Sequence, residues 1–351
     1  MNNMLGLHQS EDDALWMKGL LRYQSCGYVR PSHKHNIIWQ KNQVQCYALH
    51  SEHNNAKPTM LWIPSLINRY YILDINHELS LLRFLAQSGM NIYVIDWHHP
   101  HAEQAYYDSG YYIAQYIMPL VKKLSAAAPI HLAGYCAGGL LALATVCHYQ
   151  VHFASLSLLA TPWDFSQMQD VVQHPLCRGA IQHALQTRSP LLHGAYINWL
   201  FYLMNPQTFK DKYANFATIE EKTQDYMRFV MVEHWVNDAV ALTQAFAKEC
   251  LLDWAQHNNT MKGMWHVRDA IINPATIACP TFIAAPKRDQ IVPPNSVRPL
   301  ADIIPHTHYI TPDAGHVGMI VGKNRHHALW HPLRDFVRSC ASQQNRVCCA
   351  L

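Results

Sequence analysis

No apolar run in this chain reaches the ~18 residues that a helix needs to cross a bilayer, so no transmembrane segment is expected. Charge is scarce as well. Only 15% of the residues are Asp, Glu, Lys or Arg and half are hydrophobic, a balance that excludes intrinsic disorder. The formal net charge is +3 without any basic block, and no zinc-finger or RNA-binding signature occurs, so a nucleic-acid partner is not expected. Met1–His8 has neither a basic nor an apolar signal region and is followed by Glu11, Asp12 and Asp13. A secretory leader is therefore not expected, and a cytoplasmic location is. Cysteine is plentiful but unpatterned. Cys26, Cys46, Cys147, Cys177, Cys250, Cys279 and Cys340 lack metal-ligand or disulfide spacing and read as free, packed thiols. Despite 24 histidines there is no His-Glu-x-x-His, and His306/His308 and His326/His327 lack matching ligands. No metal is expected. The terminal Cys348-Cys349-Ala350-Leu351 fits a prenylation box without an upstream basic stretch, and we read it as coincidental.

The chain is long enough for a large core, and its patterning changes twice. After an N-terminal segment (1–36) with a short helical pattern, Ile37–Gln40 and Val44–Leu49 suggest an antiparallel hairpin at a sheet edge. Strand signals at Met60–Ile63, Asn91–Trp97, Ile130–Ala133 and Leu156–Ala160 then alternate with helical periodicity at Glu78–Ala86, Tyr111–Ala126 and Leu140–Cys147. That alternation predicts an α/β fold with a mostly parallel central sheet and helices on both faces. From about 165 to 278 the pattern turns helical, chiefly at Tyr196–Met204, Ile219–Val236 and Ala239–Trp254. Strands return at Pro280–Ala285 and His306–Ile310, and His326–Ser339 reads as a closing helix. The expected organisation is a core of 37–164 and 279–351 with a helical cap, or lid, inserted at 165–278. A separate helical interaction domain is the alternative.

Gly134-Tyr135-Cys136-Ala137-Gly138-Gly139 carries the strongest chemical signal. It follows a strand and opens a helix, and small residues flank Cys136. This is the pattern of a nucleophile elbow with cysteine in place of serine, and the helix N-terminus behind it favours a thiolate. A glycine-rich turn around a structural cysteine would look the same in isolation. Two further residues follow in the order nucleophile, acid, histidine of α/β-hydrolases. Asp289 lies just beyond the Pro280–Ala285 strand, and His316 lies in Gly315-His316-Val317-Gly318. Their ordinary readings are a surface carboxylate paired with Arg288 and one loop histidine among 24. As a triad, His316 would take the thiol proton and Asp289 would hold its tautomer. The oxyanion hole is expected from the Ala137 N–H and a second N–H at Leu66 or Ile67.

The chain resembles the polyhydroxyalkanoate synthase family. Ile63-Pro64-Ser65-Leu66-Ile67-Asn68-Arg69-Tyr70-Tyr71-Ile72-Leu73-Asp74 is similar to its P-x-x-I-N-[KR]-x-Y-I-L-D stretch. Val94–Trp97, the Cys136 box, Thr161–Phe165, Glu233–Asp238, the Asp289 segment and Gly315–Gly318 match in order over about 59–322. Gln290 departs from the family's usual histidine at that place. The size looks most like the catalytic subunit of the two-subunit (class III) synthases. The resemblance implies an α/β-hydrolase fold and a 3-hydroxyacyl-CoA substrate with no further cofactor. It also implies a growing polyester product, polyester-granule surfaces as a location, a homodimer and a non-catalytic partner subunit.

Cysteine at the elbow suits thioester exchange, because the acyl group stays activated for transfer to an alcohol. Water must then be excluded, a role suited to the aromatic residues Trp199, Phe201, Tyr202 and Trp235. Tyr135, Trp199 and Trp235 are the candidate substrate contacts, with plain core packing as the ordinary alternative. The rival readings are a cysteine-based hydrolase (polyester depolymerase, thioesterase or dienelactone-hydrolase-like) and an inactive granule-associated homologue.

Overall fold

The computed structural model describes residues 11–31, 36–49, 53–149, 153–168, 174–187, 189–204 and 206–349. Ala350 and Leu351 of the terminal box, residues 1–10 and the side chain of Phe201 lie outside the described set. The strands are β1 (Asn36–Lys41), β2 (Val44–Ala48), β3 (Thr59–Ile63), β4 (Asn91–Asp96), β5 (His131–Tyr135) and β6 (Ser155–Leu159), with β11 (Thr281–Ala284) and β12 (Thr307–Ile310) further on. They form one eight-stranded sheet in the order β1-β2-β4-β3-β5-β6-β11-β12. The edge hairpin β1–β2 pairs antiparallel, as does β2 with β4, and every other pair is parallel. Strands β3–β6 and β11 are buried along their whole length, because helices cover both faces. Helix α3 (109–124) and α4 (Ala137–His148) pack on one face. The helix α2 (Leu81–Gln87) and the closing helix, π-wound over His326–Trp330, pack on the other.

The strand order reverses at β3. The chain leaves β3 for β4 on one side, and β5 lies on the other. In open α/β sheets ligands bind at that switch point, at the carboxyl ends of the strands. Cys136 ends β5 and Pro64–Asn68 follow β3, so both stand at the crevice.

Between β6 and β11 lie α5 (Pro175–Gln186), α6 (Gly194–Met204), α7 (Pro206–Thr218), α8 (Gln224–Asn237), α9 (244–256) and a short antiparallel pair, β9 (His266–Val267) and β10 (Ala270–Ile271). The helix expected from Ile219 starts instead at Gln224, where Thr223 caps it by accepting from the Tyr226 N–H and Lys222 is left-handed at φ 65°. The helix expected from Ala239 is preceded by β8 (Leu242–Thr243), which pairs with β7 (Leu191–Leu192) before the chain coils at Gln244. Helices α5 and α7 were not anticipated as separate pieces. Both have proline at their first position, where a missing N–H costs nothing. The N-terminal helix α1 (Glu11–Gln24) packs on α7, and Arg22 Nη1 donates to the Phe216 carbonyl at 2.8 Å.

Candidate active site

The Cys136 backbone has φ 54° and ψ −128°, which is strained for any residue with a side chain. Two hydrogen bonds hold it there. Cys136 N–H donates to the Leu159 carbonyl at 2.8 Å, and Gly139 N–H to the Cys136 carbonyl at 2.8 Å. The flanking glycines are steric requirements. A Cβ at 138 would collide with the Ile63 carbonyl oxygen, and one at 139 with the Thr161 side chain. The strand–turn–helix can close only with bare backbone at these positions.

Asp289 lies beyond β11 and is buried. Its Oδ1 accepts the N–H groups of Ile291 (2.9 Å) and Val292 (2.8 Å). Its Oδ2 is 2.7 Å from His316 Nδ1. Arg288 does not pair with it; that guanidinium meets Asp313 at 3.1 Å on the surface. His316 is buried beyond β12 and lines the same chamber as Cys136. Burial works against a charged imidazole. The Asp289 carboxylate hydrogen-bonded to it and the nearby Cys136 sulfur outweigh it and push His316 up to about 10. The arrangement holds a strongly basic imidazole against the thiol.

Two chambers meet at this sulfur. One, of about 160 Å³, is lined only by apolar side chains, among them Leu140, Ile181, Leu200, Leu242 and Trp254. Cys177 and Cys250 also line it, but burial pushes both thiols up. Of the three thiols in this chamber, only Cys136 also lines the other chamber, alongside His316. The second chamber, of about 270 Å³, has polar walls that include Ser65, Asn68, Lys212, Glu233 and Gln290.

The other expected site residues are distributed as follows. Ala137 lines the apolar chamber at the first turn of α4. Ile67 lines both chambers, but its N–H is donated to Ser65 Oγ at 3.1 Å rather than left open to a substrate. Leu66 is packed in the core and lines neither chamber. Tyr135 lines the polar chamber, and its hydroxyl donates to the His316 carbonyl at 3.2 Å, so it also braces the histidine loop. Trp235 lines the same chamber, with Nε1 donating to the Arg69 carbonyl at 2.7 Å.

Trp199 is a correction. It is 45% exposed and lines neither chamber. On α6, Ile197 and Leu200 turn to the apolar chamber and Asn198 and Tyr202 to the polar one, and helical periodicity carries residue 199 outward. Lys212 was missed. Its Nζ contacts both Glu233 oxygens at 2.8 and 2.9 Å, and Tyr213 OH donates to the same carboxylate at 2.8 Å. The only sequence signal for this cluster was Glu233, within the Glu233–Asp238 match. Among the described residues, no three His, Cys, Asp or Glu side chains group as metal ligands, and no helix is long and apolar enough to cross a membrane.

An eight-stranded, mostly parallel sheet with a residue at the β5–α4 elbow and an acid–histidine pair beyond later strands defines a hydrolase-like scaffold. The family model described as alpha/beta hydrolase fold matches residues 58–323, and the chain belongs to that family. Within it, the sequence is similar to the poly(3-hydroxyalkanoate) polymerase subunit of Haloferax mediterranei, at 24% identity over 86% of this chain and 63% of that protein. The corresponding subunit of Allochromatium vinosum is 25% identical over 76% of this chain and 77% of its own length. The chain is thus a polyhydroxyalkanoate-synthase-like member of the α/β-hydrolases. Among solved structures, Rv0554 from Mycobacterium tuberculosis superposes with a TM-score of 0.56 at 17% identity, over 84% of this chain and 93% of that one. A hydrolase from Pseudomonas aeruginosa gives 0.52 at 14%, over 85% and 93%. These two carry the fold alone.

Proposed function

We propose that this chain polymerises 3-hydroxyacyl-CoA thioesters through an acyl-Cys136 intermediate, with Cys136, His316 and Asp289 as a catalytic triad. The observation that carries the reading is the elbow cysteine sharing a chamber with a histidine that Asp289 orients at 2.7 Å, in a chain similar to polyester polymerases. His316 takes the Cys136 proton as sulfur bonds to the thioester carbon. It returns that proton to the departing CoA sulfur, so one thioester replaces another. The 3-hydroxyl of the next acyl-CoA then loses its proton to His316 and attacks the acyl-Cys136 carbon. An ester forms, the Cys136 sulfur leaves and recovers its proton, and the lengthened chain stays on CoA for the next exchange.

The two chambers support a division of labour. The apolar one suits acyl carbons and excludes water, and the polar one suits the amide-bearing carrier arm. The helices of 165–278 act as the lid in this reading, since α5, α6 and α9 supply the apolar wall. The same reading puts the protein in the cytoplasm at polyester surfaces. It works there as a homodimer, and the subunit names of its relatives support a companion chain.

The test is incubation with 3-hydroxybutyryl-CoA, following CoA and polymer together. CoA release with polymer is expected, falling at least ~10³-fold in Cys136→Ala. Free 3-hydroxy acid in place of polymer would assign a hydrolase instead. Unchanged CoA release in Cys136→Ala would remove the mechanism altogether.

A further inference from the structure

Attack on a thioester moves negative charge onto the former carbonyl oxygen, and oxyanion holes meet that charge with positioned donors. The Ala137 N–H at the start of α4 is one. For the second, the Ile67 N–H is spent on Ser65 Oγ at 3.1 Å, and Leu66 lines neither chamber. That bond directs attention to Ser65 itself. Its side chain is buried, yet it lines the polar chamber together with Cys136 and His316. The backbone before it is fixed from two sides. Trp97 Nε1 donates to the Pro64 carbonyl at 3.0 Å, and a Cβ at Gly138 would lie 2.5 Å from that carbonyl's carbon. Ser65 is therefore held beside the same helical turn that presents the Ala137 N–H. A hydroxyl accepts hydrogen bonds and still has one hydrogen to donate. Ser65 accepts from Ile67, and among the described residues no acceptor is recorded for its own hydrogen. Accepting one hydrogen bond polarises the O–H toward donating another.

We infer that Ser65 is the second oxyanion donor, its hydroxyl polarised by the Ile67 N–H and aimed at the carbonyl oxygen of the substrate. The inference rests on the reading of Cys136 as nucleophile. As the Cys136 sulfur bonds to the carbonyl carbon, the C=O π pair moves to oxygen and the thiol proton moves to His316. Ser65 keeps its proton and only hydrogen-bonds the new oxyanion. Because it touches the reacting atoms, it is a catalytic residue.

The experiment compares two reactions of Cys136 in the full chain. Acylation by p-nitrophenyl acetate, followed by p-nitrophenol release and intact mass, forms an oxyanion without needing CoA recognition. Alkylation by iodoacetamide needs the same sulfur but forms no oxyanion. Ser65→Ala is expected to slow acylation by about 10²-fold while leaving alkylation within about twofold. Ser65→Thr, which keeps the hydroxyl, is expected to recover acylation to within about tenfold of wild type. Wild-type acylation in Ser65→Ala would overturn the inference, because the released Ile67 N–H would then suffice. An equal fall in both reactions would also overturn it, by making Ser65 a support for the fold or for the sulfur. If the ester does not acylate wild-type Cys136, the nucleophile reading and the Ser65 role fall together. If the ester acylates Cys136 but 3-hydroxybutyryl-CoA yields no CoA, the polymerase reading fails and the ester data alone decide Ser65.

Discussion

The apolar and polar chambers share Ile67, Cys136 and Ile291, and apart from α6 the helices that line them differ. The apolar walls are supplied largely by α4, α5, α6 and α9, and the polar walls by α6, α7, α8 and the loops after β3 and β12. Helix α6 serves both because residues on either side of one helical turn face opposite ways. A reacting thioester has the same two-sided character, with carbon on one flank and an amide-rich carrier on the other. On the proposed function, the contrast puts specificity in the inserted helices and the reacting centre in the loops that end the sheet's strands.

The comparison can be broken most severely at the centre that both chambers share. Asp289→Asn is expected to lower kcat by about 10³–10⁴-fold for every acyl length, because the histidine tautomer is lost. Turnover assays with short and long acyl-CoAs check it, and a selective loss for one length would contradict a shared centre.

The apolar wall can be stressed by pH. Glu249 opens the π-wound part of α9, one residue before Cys250 on the chamber wall. It accepts from Ser109 N–H (2.9 Å), Ser109 Oγ (2.5 Å) and Trp265 Nε1 (2.8 Å). Burial outweighs those donors and pushes it up to about 7 from its ordinary 4.5. A carboxyl raised in the fold stabilises it fully below the unfolded value. That contribution is lost as pH rises from 4.5 through 7, on the order of 3 kcal/mol in all. Denaturant melts at pH 4.5 and 8 are expected to show this fall in wild type and not in Glu249→Gln.

The polar wall is probed at Lys212, about a third of whose side chain is exposed. Lys212→Met leaves the buried Glu233 carboxylate with only Tyr213 of its two side-chain partners and is expected to cost roughly 1–2 kcal/mol, discounted for the lysine's exposure. Restoration in Lys212→Met/Glu233→Gln would attribute the cost to the stranded charge. The smallest effect is expected from Ile181→Phe, which narrows the apolar chamber. Selectivity for short over longer acyl chains should rise by about tenfold in kcat/KM, with the short-chain rate little changed.

Much of the core was legible before any coordinates. The β3-to-β6 alternation, the edge hairpin and the return of strands after 280 are periodic signals that local chemistry enforces. The elbow was legible because small residues flank Cys136 between a strand and a helix, although the neighbours that demand Gly138 and Gly139, Ile63–Pro64 and Thr161, are brought in from distant strands. The inserted helices were read less well. Thr223 and Lys222 shift one start, and the β7–β8 pairing joins Leu191–Leu192 to Leu242–Thr243, which no local pattern connects. Trp199 misled for a related reason: aromatic character says that a side chain seeks burial, not which way its helix is turned.

The sequence by itself determined the order strand, Cys136, helix, Asp289, His316, because each lies where short-range sterics end a strand or open a helix. Only the tertiary structure decided that Ile67 spends its N–H on Ser65, that Lys212 meets Glu233, and that Cys136 joins an apolar chamber to one with polar groups in its wall. Those outcomes depend on how distant segments are rotated and seated against one another, and that is settled by packing over the whole core.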